Sequence, residues 1–332
     1  MSCDDIADSR TLSVQQALQA MLAAVTVGTG RERVALGHAV GRVLVDSIEA
    51  PRAVPGHANS AVDGYAVRSA DRMRERESEF HIVGTAYAGT PYRGKPLRPF
   101  QAVRIMTGAI LPDGADSVVM QERAGTIDGD HVRLEPPDSA GENVRMAGED
   151  LREGAVMLAG GRWLTPADVG LLASVGLAEV SVHRRLRVGV LSTGNEVRAL
   201  GESLTPGLVY DSNRHQLCAA LHRMGVEVCD LGIARDDPQE LGQCLRAAAA
   251  HTDAIISSGG VSGGAADWVR QVVAELGHIG FWQVAMKPGR PLSFGAIGSA
   301  TFFGLPGNPV AALVSFCWFV KPVLEKRMGI LD

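Results

Sequence analysis

Four short segments rich in Gly, Ser, Pro and acidic residues each follow an apolar run of β-strand character: STGNE (Ser192 to Glu196), SSGGVSGGAAD (Ser257 to Asp267), MKPGRP (Met286 to Pro291) and GLPGNP (Gly304 to Pro309). If those strands run parallel, the four loops gather at the carboxyl edge of one sheet, where such folds bind their ligands. The glycine loop carries Ser258, Gly259, Gly260, Ser262 and Gly263 ahead of a helix. Exposed backbone N–H groups and the positive end of a helix dipole suit an anion at that point. The loop has neither the Lys-Ser/Thr pair of a P-loop nor the glycine spacing of a dinucleotide fingerprint. An ordinary tight turn before a helix is the competing reading.

Asp267, at the end of that loop, either favours the helix start or coordinates Mg²⁺ beside a phosphate. Glu196 and Asp236 follow the strands RVGVLS and VEVCDLGI, so their carboxylates would enter the same cleft as hard oxygen ligands. Asp236-Asp237-Pro238 also reads as a plain helix start. Lys287 is one of only four lysines in the chain, with Lys95, Lys321 and Lys326, and sits in a Pro/Gly loop where its ammonium can meet an oxyanion. Left solvated, it would do nothing. Pro306, Gly307, Asn308 and Pro309 make a stiff turn ahead of the last helix, which structure alone could explain. Asp63-Gly64 reads as a hairpin turn and Thr107-Gly108 as a strand end.

The elements that must hold these groups are legible in the periodicity. From Leu186 on, strands and helices alternate: strands at RVGVLS, VEVCDLGI, DAIISS, FWQVAM and TFFGL, and helices over Asp211–Met224, Pro238–Ala250, Ala266–Leu276 and Pro309–Met328. Alternation of this kind predicts an α/β domain, 186–332, with a mostly parallel sheet covered by helices on both faces. Residues 52–140 break into short β-type runs (YAV, FHIVGTAY, AVRIMTG, DSVVMQE, HVRL) and read as a β-rich insertion. Residues 1–51 and 141–185, with a capped helix over Ser13–Val25 and another started by Thr165-Pro166, read as one discontinuous mixed α/β N-terminal domain.

Bulk composition narrows the partners. The 332 residues are 46% apolar, enough for two or three domains, and the net charge of −5 disfavours nucleic acid as a partner. No apolar run reaches the ~18 residues that span a bilayer, so no membrane partner is expected. Cys3, Cys218, Cys229, Cys244 and Cys317 form no C-x-x-C pair and read as free thiols in a reducing cytoplasm. The nine histidines show no paired spacing.

In order along the chain, NSAVDGYAV, RIMTGAILPDGADSVVMQE, VGVLSTGNE, YDSNR, SSGGVSGGAAD, VAMKPGRP and GLPGNPVAAL resemble the molybdopterin molybdenumtransferase (molybdenum insertase) family, also represented by the C-terminal domain of gephyrin. The resemblance runs from about Ser13 to Gly329. It implies a cytoplasmic homodimer that inserts molybdate into adenylylated molybdopterin, uses Mg²⁺ and releases AMP. It assigns a linker and dimer role to the discontinuous domain and molybdopterin binding to the α/β domain. By motif it implies that Asp63 and Thr107 face the cleft of the opposite subunit, that Glu196, Asp236, Asp267 and Lys287 are polar cleft residues with Glu196 and Asp267 on the metal, and that Pro306 and Pro309 form the proline loop. A molybdopterin adenylyltransferase is an implied partner. Departures are Gln283, where the family commonly has a basic residue, Gly263 and Ala265, where larger and acidic residues are frequent, and the absence of a usual small fourth domain. A molybdopterin adenylyltransferase and a non-catalytic molybdopterin-binding scaffold are the alternative functions.

Overall fold

The computed structural model describes residues 11–71, 78–135, 137–260 and 268–330. The chain forms two compact units, one made of residues 1–46, 159–169 and 178–332, the other of 47–158 and 170–177.

The first unit is built on six strands: β1 (Arg187–Thr193), β2 (Glu227–Ala234), β3 (Ala254–Ser258), β4 (Gly277–Gln283), β5 (Pro291–Ile297) and β6 (Ala300–Leu305). Their order in the sheet is β2-β1-β3-β6-β5-β4, with β2, β1, β3 and β6 parallel and the β6–β5 and β5–β4 pairs antiparallel. β5 is a strand that the periodicity does not announce. Gly295 interrupts its apolar run, and a Cβ there would lie 2.0 Å from the His278 carbonyl oxygen, so the close β4–β5 approach excludes the side chain that would have marked a strand. The strand expected over Phe281–Met286 instead ends at Gln283. Beyond it the chain leaves the sheet, Val284 bridging Leu12 and the Ala285 N–H donating to the Leu12 carbonyl at 2.8 Å.

Seven helices are described: α1 (Val14–Ala24), α2 (Pro166–Ser174), α3 (Ser212–Arg223), α4 (Pro238–Ala249), α5 (Trp268–Leu276), α6 (Pro309–Ser315) and α7 (Lys321–Arg327). Met21 of α1, Leu217 and Leu221 of α3, and Phe316 and Phe319 pack on one face of the sheet with Phe303. Leu241 and Leu245 of α4 and Val269, Val272 and Val273 of α5 pack on the other with Phe302. Adjacent residues of a strand point to opposite faces, so Phe302 and Phe303 anchor the two cores in turn and β6 is buried throughout. The single helix expected over Pro309–Met328 is interrupted by a π-helical stretch at Phe316–Val320, just ahead of Pro322, which has no N–H to donate to the preceding turn and crowds the carbonyl there.

α1 starts with a capping box, Ser13 Oγ accepting from the Gln16 N–H at 3.2 Å and the Gln16 side chain accepting from the Ser13 N–H at 3.0 Å. A small antiparallel pair, Arg31–Ala35 with Glu179–His183, joins distant parts of the chain within this unit.

The second unit contains a six-stranded mixed sheet ordered Ser117–Met120, Gly64–Val67, Gln101–Ile105, Ser78–Ala86, His131–Leu134, Ala124–Asp128. Asp63-Gly64 is not a hairpin turn. Gly64 opens a strand held between two antiparallel neighbours, and a Cβ on it would lie 2.0 Å from the Val119 carbonyl oxygen.

No helix among the described residues is long and apolar enough to cross a membrane.

Candidate functional site

A cleft of about 950 Å³ opens at the carboxyl ends of β1, β3, β4 and β6. β4 is antiparallel to β5, which is antiparallel to β6, so β4 runs in the direction of β6 and delivers its loop to the same edge. Glu196 and Asp236 enter from the loops after β1 and β2. Ser258, Gly259 and Gly260 follow β3, and Lys287 lies between β4 and β5. Pro306, Gly307, Asn308 and Pro309 complete the wall after β6. These ten anticipated residues therefore share one cavity. Asp267, Ser262 and Gly263 lie outside the described residues.

Local chemistry explains the shape. Gly259 and Gly260 have φ of +93° and +65°. A Cβ on Gly259 would stand 2.5 Å from the Thr193 carbonyl oxygen, and one on Gly260 would stand 2.6 Å from Val269 Cγ2. Only glycine fits this close turn between β1 and α5. At the other loop Asn308 caps α6, its side-chain oxygen accepting the Ala311 N–H at 3.1 Å, with Pro309 in the first helical turn. The Lys287–Pro288 peptide is cis.

The three acids that line the cleft among the described residues differ in how their charge is used. Asp211 is buried and accepts from Ser192 Oγ at 2.8 Å, the Arg214 N–H at 3.1 Å and Arg214 Nε at 2.8 Å. Its charge is thereby consumed within the protein. Burial works against ionisation of the Arg214 guanidinium, yet its bonds to Asp211 and Asp230 raise its pKa above the ordinary arginine value. Asp236 accepts from the Asn195 N–H at 3.1 Å through one oxygen, and the other has no donor among the described residues. The Glu196 carboxylate has no side-chain partner among the described residues. Lys287 is exposed and also unpaired among the described residues. Among the described residues one cation and two available carboxylates thus face one space, an arrangement for binding an anion together with a hard metal ion.

Ser192, Thr193, Asp211 and Asn213 also line the cleft. The last two sit in YDSNR, whose Asp-Ser reads as a helix start; residue types alone did not mark them as part of a site.

Asp63 and Thr107 are not among the residues lining this cleft; they belong to the second unit and bind each other. The register Gly64↔Ile105 puts Asp63, just before one strand, beside Thr107, just past the next. The Thr107 N–H and Oγ1 donate to the same Asp63 oxygen at 2.7 and 2.8 Å. These two donors, the backbone one first, hold the Asp63 carboxyl below the usual carboxylate range.

Residues 12–176 match the family model for the MoeA N-terminal region (domain I and II), and residues 189–326 match a probable molybdopterin binding domain. A molybdopterin molybdenumtransferase of Haemophilus influenzae is 40% identical over 96% of this chain and 78% of its own length. The chain belongs to the molybdopterin molybdenumtransferase family. Molybdopterin molybdenumtransferase 2 of Mycobacterium tuberculosis is 39% identical over 90% of the chain and 76% of its own length. A molybdopterin biosynthesis protein from Pyrococcus horikoshii superimposes with a TM-score of 0.83 at 28% identity, covering 97% of this chain and 81% of that one. Membership places the chain in molybdenum cofactor biosynthesis, within a family of transferases.

Proposed function

We propose that the chain inserts molybdate into adenylylated molybdopterin with release of AMP and with Mg²⁺ as cofactor. The observation that carries this reading is the meeting of Lys287, Glu196 and Asp236 with the glycine and proline loops in one cleft of a member of this family. Bringing molybdate up to a pyrophosphate-bearing pterin places anions side by side. Two unit charges 4 Å apart repel by about 4 kcal/mol at an effective dielectric constant near 20. The Lys287 ammonium offsets part of that cost, a hydrogen bond to a charged group contributing about 1.5–3 kcal/mol. The glycine loop precedes α5, and its motif assigns it to the same oxyanions.

The donor set fits Mg²⁺. Among the described residues no group of three or more His, Cys, Asp and Glu converges on a point, but Mg²⁺ usually takes only one or two carboxylates and completes its shell with water and phosphate oxygens. Glu196 and the open oxygen of Asp236 are such carboxylates, and Asp267 is assigned to the metal by its motif position. When bound, the ion neutralises charge on the phosphates and polarises the bond to the leaving AMP. Ser262 and Gly263 are assigned to the oxyanion-binding loop on the same ground.

The same reading includes a homodimer in which Asp63 and Thr107 serve the opposite subunit, a cytoplasmic location, and a molybdopterin adenylyltransferase that supplies the substrate. It takes residues 1–51 and 141–185 as the linker and dimer domain, 52–140 as the insertion and 186–332 as the pterin-binding domain.

Purified protein mixed with adenylylated molybdopterin, molybdate and Mg²⁺ should release AMP. Lys287→Ala and Glu196→Gln should each slow that release about 10-fold or more. Tight pterin binding with no AMP formed would make the chain a scaffold, and formation of adenylylated molybdopterin from ATP would make it an adenylyltransferase; either result overturns the proposal.

A further inference from the structure

The buried Asn213 side chain ties the end of β3 to the proline loop after the neighbouring strand β6. Its amide nitrogen donates to Ser258 Oγ at 2.7 Å and to the Gly307 carbonyl oxygen at 2.8 Å. These contacts determine where a proton must point. A backbone carbonyl can only accept, so the end of the Asn213 amide that meets Gly307 is the NH₂ group. That NH₂ is donor-only, so Ser258 Oγ beside it must accept. The Ser258 hydroxyl proton is then directed away from Asn213, and it finds no acceptor among the described residues. Ser258 lines the cleft. Ser192, on the neighbouring strand, has the opposite arrangement: its hydroxyl donates to the Asp211 carboxylate at 2.8 Å, which spends its proton inside the protein.

From this we infer that Asn213 is a positioning residue which fixes Ser258 as a hydrogen-bond donor to an oxyanion, either the phosphate of an adenylylated substrate or molybdate. The inference rests on the function proposed above for its choice of ligands, and on geometry for everything else. The two bonds do separate work. The bond to Gly307 holds the proline loop, and the bond to Ser258 sets the direction of a proton.

Asn213→Asp, made alone and on Ser258→Ala, separates this role from loop support, because the bond to Gly307 is lost in both backgrounds. A carboxylate at 213 can only accept, so the Ser258 hydroxyl turns inward to it and its donor is lost from the cleft. Binding of AMP and of molybdate is measured separately by calorimetry on the full chain, with wild type, Ser258→Ala, Asn213→Asp and the double variant, and with thermal melts to report folding. A donor to a charged ligand corresponds to about 10- to 100-fold in affinity. Ser258→Ala and Asn213→Asp should each lose at least roughly that factor for the same probe, and the double variant should lose no more than Asn213→Asp alone. A loss confined to AMP assigns the donor to the phosphate; one confined to molybdate assigns it to the metal oxyanion.

Additive losses would reduce Asn213 to a structural strut and overturn the inference. Unchanged affinity of Ser258→Ala for both probes would do so as well, and this arm stands even if Asn213→Asp does not fold. Wild-type protein that binds neither probe also overturns it. Ser258-dependent binding in protein that releases no AMP from the adenylylated pterin would leave this inference standing and remove the proposed activity alone.

Discussion

Asp63 takes both of its short hydrogen bonds from one residue, the N–H and the hydroxyl of Thr107 meeting the same carboxylate oxygen. The pair is exposed, so its value is local and its signature is a titration. Carbon-detected NMR should find the Asp63 carboxyl titrating below the ordinary Asp value of about 3.9. Thr107→Val should move it part of the way back up, because the hydroxyl donor goes and the N–H remains. An unmoved titration would mean that the threonine side chain does not hold the acid. At the glycine loop the expectation is steric. Gly259→Ala forces a side chain to 2.5 Å from a backbone oxygen at a φ of +93°, so the loop must shift and affinity for AMP should fall, as calorimetry would register.

Elements set how these residues are presented. Asn308 is at once a wall of the cleft and the N-cap of α6. Asn308→Ala should cost about 0.5–2 kcal/mol in urea unfolding and lower AMP release as well, because the cap and the proline loop are one piece of backbone. Loss of activity at full stability would show that the side chain serves the ligand and not the helix. Helices with caps were legible from residue order: Ser13 before α1, Asp211 before α3 and Asp237-Pro238 at α4 stand where the local chemistry puts them. β5 was not legible, since Gly295 in its middle answers to the neighbouring strand's backbone and not to any local preference. The π-helical stretch at Phe316–Val320 did have a local mark in Pro322, outweighed by the apolar helical periodicity of the surrounding residues.

At the scale of the molecule, stability depends on two faces of one sheet and on a few strongly held charges. Phe302 is fully buried in the core formed with α4 and α5, and Phe302→Ala should cost about 3–5 kcal/mol by denaturant unfolding. Burial pushes the Asp253 carboxyl up, but the paired bonds from Arg184 at 2.8 and 3.0 Å and the Arg187 N–H at 2.8 Å outweigh it and leave the acid below its usual range. An acid depressed in the folded state adds stability that is complete above its unfolded value, about 3.9, and is lost as pH falls toward the folded value. Asp168 and Asp230 are depressed in the same direction, each beside an arginine. Stability should therefore decline on acidification below about pH 4–5, and Asp253→Asn should flatten part of that decline. A variant with an unaltered acid limb would show that the Arg184 pair contributes nothing net.

The residue string alone determined the alternation of strands and helices in the last third of the chain, and with it the edge at which the loops meet, because periodicity and turn chemistry are local properties. It also placed Glu196, Asp236, Ser258 and Lys287 at strand ends, where parallel strands leave them no other edge to share. Only the tertiary structure decided which of those groups remain available. Asp211 is neutralised by Arg214 and Asp236 is half-engaged by Asn195, while Glu196 stays open. Ser192 and Ser258 are the same residue type on adjacent strands, yet one proton goes to a carboxylate and the other is turned toward the cleft. A hydrogen bond's direction depends on which partner arrives from elsewhere in the chain, and that is a matter of packing that no local pattern records.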